Sequence, residues 1–161
     1  MNLKAFKYRI YPTEEQKELI HQHFGCVRWI YNYALNKKIT VFQTEKKSLS
    51  RFEIQADIPL LKKDEATAWL KDVNSQSLQA SLENLDKAYT RFFREKKGFP
   101  KFKSKHDNRQ SFQVPQHAKV DFDTSKLSLP KFKSGILLIC SFYSKVLIFI
   151  VKILYFPLKN I

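Results

Sequence analysis

The 161-residue chain carries 29 Lys and Arg against 15 Asp and Glu, which gives a formal net charge of +14, and 43% of its residues are hydrophobic. This hydrophobic content supports a core and excludes a disordered basic tail, while the charge favours a polyanionic partner, either nucleic acid or an acidic membrane surface. Two cysteines exclude a disulfide framework and a four-thiolate zinc site, and the first residues predict no signal peptide.

The first 45 residues predict a strand followed by two helices. Residues 4–11 alternate between apolar and basic side chains, a period typical of a strand. Thr13 and Gln16 form a capping box for a first helix, which Gly25 is predicted to end. Apolar residues at steps of three and four predict a second helix over 27–42. Two helices joined at one glycine indicate a helix-turn-helix or, equally, an ordinary helical hairpin.

The middle of the chain predicts further helices. Ser50 and Glu53 make a second capping box, opening a short helix that Pro59 interrupts. Asn74 caps the most regular helix, which Gly98 is predicted to end. Its apolar face includes three aromatic residues that we expect in the core: Tyr89, Phe92 and Phe93. Its second face carries a basic stripe: Lys87, Arg91 and Arg94.

Short strands are predicted after this helix. Residues 99–103 return to a period of two, and further strands are predicted over 111–114, 119–123 and 127–132. The order is strand, helical block, strands, which indicates an α+β fold. We expect the N-terminal strand to pair with the late strands, so that the helical block is an insertion between them.

Residues 136–161 break the composition of the rest. They contain 19 apolar residues of 26, and no acidic residue occurs from 124 onwards. A membrane-spanning helix over 136–156, a pair of buried strands and the product of a frame slip in an AT-rich gene all fit this composition. The third interpretation is favoured, and it places the hydrophobic tail outside the fold.

The segment from 87 to 109 is the strongest candidate for a binding surface. It holds nine basic and two acidic residues with aromatic residues between them, a composition suited to phosphates and stacked bases. The alternative is that the lysines at 101, 103 and 105 only protect a solvent-exposed sheet edge from pairing with another strand. His21 and His23 face different ways on their helix, and Asp121 and Asp123 fit loop acids better than cation ligands. We therefore predict no catalytic residue, no metal site and no cofactor.

Several motifs occur together in one order. They are KAFKYRIYPT (4–13), FGCVRWIYN (24–32), SQSLQ (75–79), the helix over 82–93, GFPKF (98–102) and LSLPK (127–131). In this combination the chain resembles the TnpB-type (OrfB) transposon-encoded proteins over residues 3–135. The resemblance implies a wedge-type β-barrel with an inserted helical recognition block. Its implied regions are a helix-turn-helix-like region (1–45), a recognition block (12–105), returning wedge strands (106–135) and the tail (136–161).

The resemblance also implies a function. Full-length members are RNA-guided DNA endonucleases with a RuvC-like nuclease and a zinc ribbon, which cut beside a short adjacent motif. The positions that would contact this motif are Arg51, Gln55, Ser75, Gln76, Gln79 and Gln113. The positions that would face the guide RNA or the heteroduplex backbone are Lys87, Arg91, Arg94, Lys101, Lys103 and Lys105.

We therefore predict a truncated TnpB-like protein that binds DNA and guide RNA but lacks the catalytic half, and so is not an enzyme as it stands. No small-molecule substrate is expected, and the predicted location is the bacterial cytoplasm, in association with the nucleoid. A stand-alone helix-turn-helix DNA-binding protein derived from a transposase and a membrane-tethered basic protein remain the alternatives.

Overall fold

A short strand comes first, a helical part of the chain follows it, and further strands come last. The computed structural model describes residues 9–107, 110–139 and 151–155. The helical elements are α1 (Glu14–Glu45), α2 (Arg51–Gln55), α3 (Ile58–Lys63), a 3-10 helix (Glu65–Lys71) and α4 (Ser75–Glu95). The strands are β1 (Arg9–Tyr11), β2 (Gln110–Val114), β3 (Lys119–Asp121), β4 (Lys126–Ser128), β5 (Ile136–Ile139) and β6 (Val151–Tyr155).

Helix α1 is one continuous helix of 32 residues, so the predicted break at Gly25 is wrong. No glycine in the described part of the chain has a positive φ, and Gly25 lies in the helix interior. A glycine there costs only about 1 kcal/mol relative to alanine. Buried residues on both sides of it, including Phe24 and Val27, pack in the core and hold the helix together across this position. The predicted helical hairpin is therefore absent from residues 14–45.

The local signals for the other helices are largely confirmed. Ser50 forms the predicted capping box with Glu53 at the start of α2. Pro59 lies in the first turn of α3, where a missing N–H costs nothing, so it begins a helix and does not interrupt one. The Asn74 side chain accepts a hydrogen bond from the Gln76 N–H and caps α4. This helix ends at Lys96 in the left-handed conformation (φ 51°), two residues before the predicted stop.

Helices α1 and α4 pack against each other at the centre of the core. The hydroxyl of Ser81 on α4 donates a hydrogen bond of 2.7 Å to the Val27 carbonyl on α1, which brings the two backbones close together. Nearer the start of α4, the Asn74 N–H donates to Nε2 of the buried His23 at 3.3 Å. Strand β2 contacts both helices, and the ring of its buried Phe112 lies against His23 and Phe24 on α1.

The strands form two antiparallel sheets. One has the order β1-β5-β4-β3, and the other pairs β2 with β6. The N-terminal strand therefore joins the late strands in one sheet, as predicted, but its direct neighbour is β5, with Ile10 opposite Leu138. Residues 99–103 are not a strand. Residues 4–8 lie outside the described residues, and the closure of the strands into a wedge-type barrel remains a prediction.

The prediction that the hydrophobic tail lies outside the fold is wrong for its two described segments. Strand β5 lies between β1 and β4, and its first two side chains differ in burial: Ile136 is fully buried, whereas Leu137 is 48% exposed. Without β5, the facing edges of β1 and β4 would lack backbone partners, which explains why an apolar segment is taken into the sheet. Strand β6 pairs with β2 along its whole length.

The membrane-spanning interpretation of the tail also conflicts with the two strands. Residues 136–139 and 151–155 form sheets where a single helix over 136–156 was one possibility. Within the described ranges, no helix is both long and apolar enough to cross a bilayer. Residues 140–150 and 156–161 lie outside these ranges, and the frame-slip origin remains a prediction.

Candidate nucleic-acid interface

A polar ridge winds along α4. It follows an i, i+4 row, which turns about 40° around the helix axis at each step and carries a polar or charged side chain at every step. The ridge consists of Ser75, Gln79, Glu83, Lys87 and Arg91. At 1.5 Å per residue it extends over about 24 Å. Its first two members are neutral hydrogen-bonding groups and its last two are cations, so the chemistry changes along the helix.

Arg51 on α2 lies beside the middle of the ridge. Arg51, Glu83 and Lys87 line one surface hollow, and Lys87 forms an ion pair of 2.8 Å with Glu83. The pKa of Glu83 is lowered, first by the hydrogen bond from Lys87 and further by the positive charges of Lys87 and Arg51. The single acidic group of the ridge therefore stays ionised and is matched by two cations. The Arg51 guanidinium also lies 4.8 Å from the centre of the Phe52 ring.

The N-terminal end of α4 gathers polar groups from three elements. The Lys62 ammonium on α3 donates to the Ser75 hydroxyl at 2.6 Å. The amide nitrogen of Gln76 donates to Gln116 at 3.0 Å, while its amide oxygen is buried and accepts no hydrogen bond from the described residues. Burial lowers the pKa of Lys62, and the nearby Lys131 lowers it further. This end of the helix is therefore electropositive as well as polar.

The remaining residues predicted to contact the adjacent motif are less well gathered. The carbonyl of Gln113 accepts a hydrogen bond of 2.7 Å from the Ser77 hydroxyl, so β2 is fixed beside the first turn of α4. The Gln113 side chain alternates with the buried Phe112 and Val114 and is half-buried. Gln55 is half-buried at the end of α2. Ser75 and Gln79 belong to the ridge and Arg51 lies beside it, whereas Gln76 is hydrogen-bonded to Gln116 in the loop after β2.

The three predicted lysines after α4 have different environments. Asn32 on α1 holds the loop: its amide nitrogen donates to the Lys103 carbonyl at 2.9 Å, and its amide oxygen accepts from the Lys103 N–H at 2.8 Å. The Lys103 ammonium lies 4.3 Å from the centre of the Tyr31 ring and is half-buried. Lys101 and Lys105 are exposed, and neither forms an ion pair within the described part of the chain. Lys103 thus contributes to holding the loop, and its two neighbours present their charges to solvent.

The expectation that all three aromatic residues at the end of α4 belong to the core is wrong for Phe93. Its side chain is 72% exposed, whereas Tyr89 and Phe92 are half-buried. Consecutive helical residues point about 100° apart, so Phe92 and Phe93 face different parts of the surroundings of α4. Phe99 and Phe102 in the following loop are 45% and 55% exposed.

Two of the acidic and sulfur groups in the described ranges have clear local roles. Asp121 accepts hydrogen bonds from the Asp123 N–H, the Thr124 N–H and the Thr124 hydroxyl, and these bonds close the turn after β3. The hydrogen bonds from Thr124 also lower the pKa of the Asp121 carboxyl. Burial raises the pKa of Cys26 to about 11, so this thiol stays protonated. No group of three or more His, Cys, Asp or Glu residues that could hold a metal ion occurs among the residues described.

Comparison with known proteins identifies the family. Residues 1–47 match the family profile HTH_OrfB_IS605, described as a helix-turn-helix domain. A Streptomyces pristinaespiralis protein named as an RNA-guided DNA endonuclease is 36% identical over 115 residues, which cover 71% of this chain and 29% of that protein. InsQ of Escherichia coli K12, named in the same way, is 34% identical over 129 residues, covering 80% of this chain and 32% of InsQ. The chain belongs to the OrfB (TnpB-type) family.

This OrfB-family chain spans about a third of the length of those two curated relatives. It also resembles the virulence protein VsdF of Salmonella dublin, with 38% identity over 113 residues that cover 65% of this chain and 95% of VsdF. The matched region 1–47 takes its description from a helix-turn-helix, but here residues 14–45 form a single helix. The resemblance stated from the sequence is thus confirmed, while the two-helix geometry that the family description suggests is not found in residues 14–45.

Proposed function

We propose that the chain binds nucleic acid along the ridge of α4, in the manner of an RNA-guided DNA endonuclease of its family. The observation that carries this proposal is the change from neutral hydrogen-bonding groups to cations along one i, i+4 row of α4, which winds around the helix. Two relatives named as RNA-guided DNA endonucleases match most of this chain, which supports DNA and a guide RNA as the partners.

The polar end of the ridge suits the recognition of base edges. Ser75 and Gln79 are exposed on successive turns, and a glutamine amide can pair with the N6 and N7 edge of adenine through two hydrogen bonds. Arg51 beside the ridge can pair with guanine in a similar way. We assign Arg51, Ser75 and Gln79 to direct base contacts. Gln55, Gln76 and Gln113 are assigned to the border of this surface, where their half-buried side chains limit how far they reach.

The basic end of the ridge, together with the neighbouring Arg94, suits contacts to phosphates. Arg91 and Arg94 are exposed, and neither forms an ion pair with any residue described here, so their charges are not already neutralised. Lys87 shares its charge with Glu83, so we expect it to contribute less. Lys101 and Lys105 extend the basic surface into the loop, while Lys103 fixes that loop to α1.

We further propose that these 161 residues bind without cutting. The arrangement of Asp121 in a turn supports this, because a carboxylate that accepts three local hydrogen bonds is poorly placed to hold a catalytic metal ion. The stand-alone helix-turn-helix alternative has less support, since the continuous α1 does not present a second helix set at an angle to the first.

The test compares salt dependence and sequence preference. We expect the affinity of the chain for a labelled duplex or a structured RNA to fall with salt, and the Arg91→Ala/Arg94→Ala variant to reduce the slope by up to about 1.8. The matched control, Lys71→Ala/Lys119→Ala, removes the same charge from exposed positions outside the ridge that form no ion pair with the residues described, and it should change the slope less. Gln79→Ala should alter sequence preference at an unchanged slope. Equal slopes for the two double variants would contradict the proposal.

A further inference from the structure

An aromatic platform stands at the C-terminal end of α4, and we define it by the rings of Phe93 and Phe99. Phe93 is 72% exposed and Phe99 is 45% exposed. Both rest on half-buried rings: Phe93 lies 5.0 Å from Phe92, and Phe99 lies edge-on to Phe92 at 5.3 Å and to Tyr89 at 5.6 Å. The platform rings are thus held from beneath while a large part of their surface faces solvent.

The surroundings of the platform are strongly basic. Arg91, Arg94 and Lys96 lie within three residues of Phe93, and none of them forms an ion pair with the residues described. The nearby acid, Glu95, pairs with Lys97 at 3.0 Å. The exposed Lys101, Phe102 and Lys105 lie in the loop that follows. An apolar protein segment would have to cover these unpaired cations, which costs free energy, whereas a polyanion with planar groups matches both features.

We propose that this platform binds an unpaired stretch of nucleic acid, whose bases stack on Phe93 and Phe99 while its phosphates contact the surrounding cations. This inference rests on the proposed function and names the form of nucleic acid taken at this end of α4. Unpaired bases are required because a duplex hides the faces of its bases in its own stack. Phe93 is 18 residues from Ser75, about 27 Å along the helix, so the platform is separate from the polar end of the ridge.

The experiment measures binding of labelled 12-nucleotide oligomers of uridine and of thymidine, and of a 12-base-pair duplex, by fluorescence anisotropy. Loss of one stacked base corresponds to a change in affinity of roughly 5- to 150-fold. Phe93→Leu keeps an apolar side chain but removes the planar ring. We therefore expect Phe93→Leu to weaken binding of the unpaired oligomers at least about fivefold and to leave duplex binding unchanged. Phe93→Tyr, which keeps a planar ring, should bind the unpaired oligomers as the wild-type chain does.

The control is Leu60→Ala, since Leu60 on α3 is 65% exposed and α3 contacts the opposite end of α4 through Lys62. It should not alter binding of any probe. Because Phe93 is exposed, its variants should fold, and circular dichroism checks this. A second readout uses Phe93→Trp, whose added fluorescence should be quenched by the oligomer. The uridine and thymidine arms show whether RNA or DNA is the preferred source of unpaired bases.

The outcomes separate this inference from the proposed function. Wild-type affinity of Phe93→Leu for the unpaired oligomers would overturn the inference and favour an apolar protein segment as the occupant. If duplex binding still depends on Arg91 and Arg94 in that case, the proposed function stands. Absence of binding to every probe by the wild-type chain at about 50 mM salt would instead reject both.

Discussion

Gly25 tests whether residues 14–45 form one helix or two. In a single helix, Gly25→Ala removes a residue of low helix propensity from the interior, which stabilises the folded chain by about 0.5–1 kcal/mol. A Cβ built at this position meets no atom within 4 Å, so no steric cost offsets the gain. The new methyl group would lie in the hollow that Trp29 and Trp69 line beside the glycine.

The opposite result is expected if a turn occurs at Gly25. A glycine that ends a helix adopts a positive φ, where alanine is strained by roughly 1–2 kcal/mol. The two geometries therefore predict opposite signs for the same substitution. For a chain of this size, a gain of 1 kcal/mol corresponds to an increase in Tm of about 2–4 °C, which thermal unfolding followed by circular dichroism resolves.

The chain contains a matched control for this experiment. In Gly135→Ala, the new Cβ would lie 3.0 Å from the Cβ of Lys126, so we expect no gain and a loss if the β4 backbone cannot move. The same substitution thus compares a glycine with no atom near the new Cβ, Gly25, with one where the new Cβ makes a close contact, Gly135. A fall in Tm for Gly25→Ala, with Gly135→Ala unchanged, would refute the continuous helix.

Three further predictions concern the contacts that hold α1, α4 and the lysine loop together. Burial lowers the pKa of His23 and outweighs the hydrogen bond to the Leu19 carbonyl, which raises it; the charge of Lys131 lowers it further. At mildly acidic pH the unfolded chain therefore binds a proton at His23 that the folded chain does not. Stability should therefore fall as the pH drops below about 6.5, and urea midpoints should show that His23→Phe removes this dependence. Asn74→Ala should cost about 1 kcal/mol through loss of the α4 cap, whereas Asn74→Ser should retain most of it, as measured by thermal unfolding. Asn32→Ala should free the loop at Lys103, and limited trypsin digestion should then cut faster after residues 101–105 with little change in global Tm.

The parts of the fold that local chemistry determines were predictable from the sequence. The capping boxes at Thr13 and Ser50 and the cap at Asn74 need only residues three positions apart or fewer, and all three are present. Helix α4 follows from its apolar period. Its exposed side, which carries the candidate ridge, follows from the same period, so the position of Gln79, Lys87 and Arg91 could be anticipated without a structure.

The parts that long-range contacts determine were not predictable. The sequence shows a glycine at position 25, but only the packing of α1 against α4 decides that the helix continues through it. The apolar segment that begins at Ile136 gives no sign in the sequence of its partners in the sheet. Of these partners, Tyr11 is far away along the chain, and Lys126 is separated from the segment by a turn. The anchoring of Lys103 depends on Asn32, 71 residues earlier.

The ridge of α4 is supported along its length, and this bears on how it could bind. Near the start of α4, Asn74 is hydrogen-bonded to His23 on α1, and further along, Ser81 is hydrogen-bonded to Val27 on α1. Towards its C-terminal half, the Lys38 ammonium lies 4.0 Å from the Asp86 carboxylate and 5.2 Å from the centre of the Tyr89 ring. The helix backbone is therefore fixed before any partner arrives, so that binding would have to order side chains only. A surface prepared in this way loses less conformational entropy on binding than a flexible basic segment of the same charge.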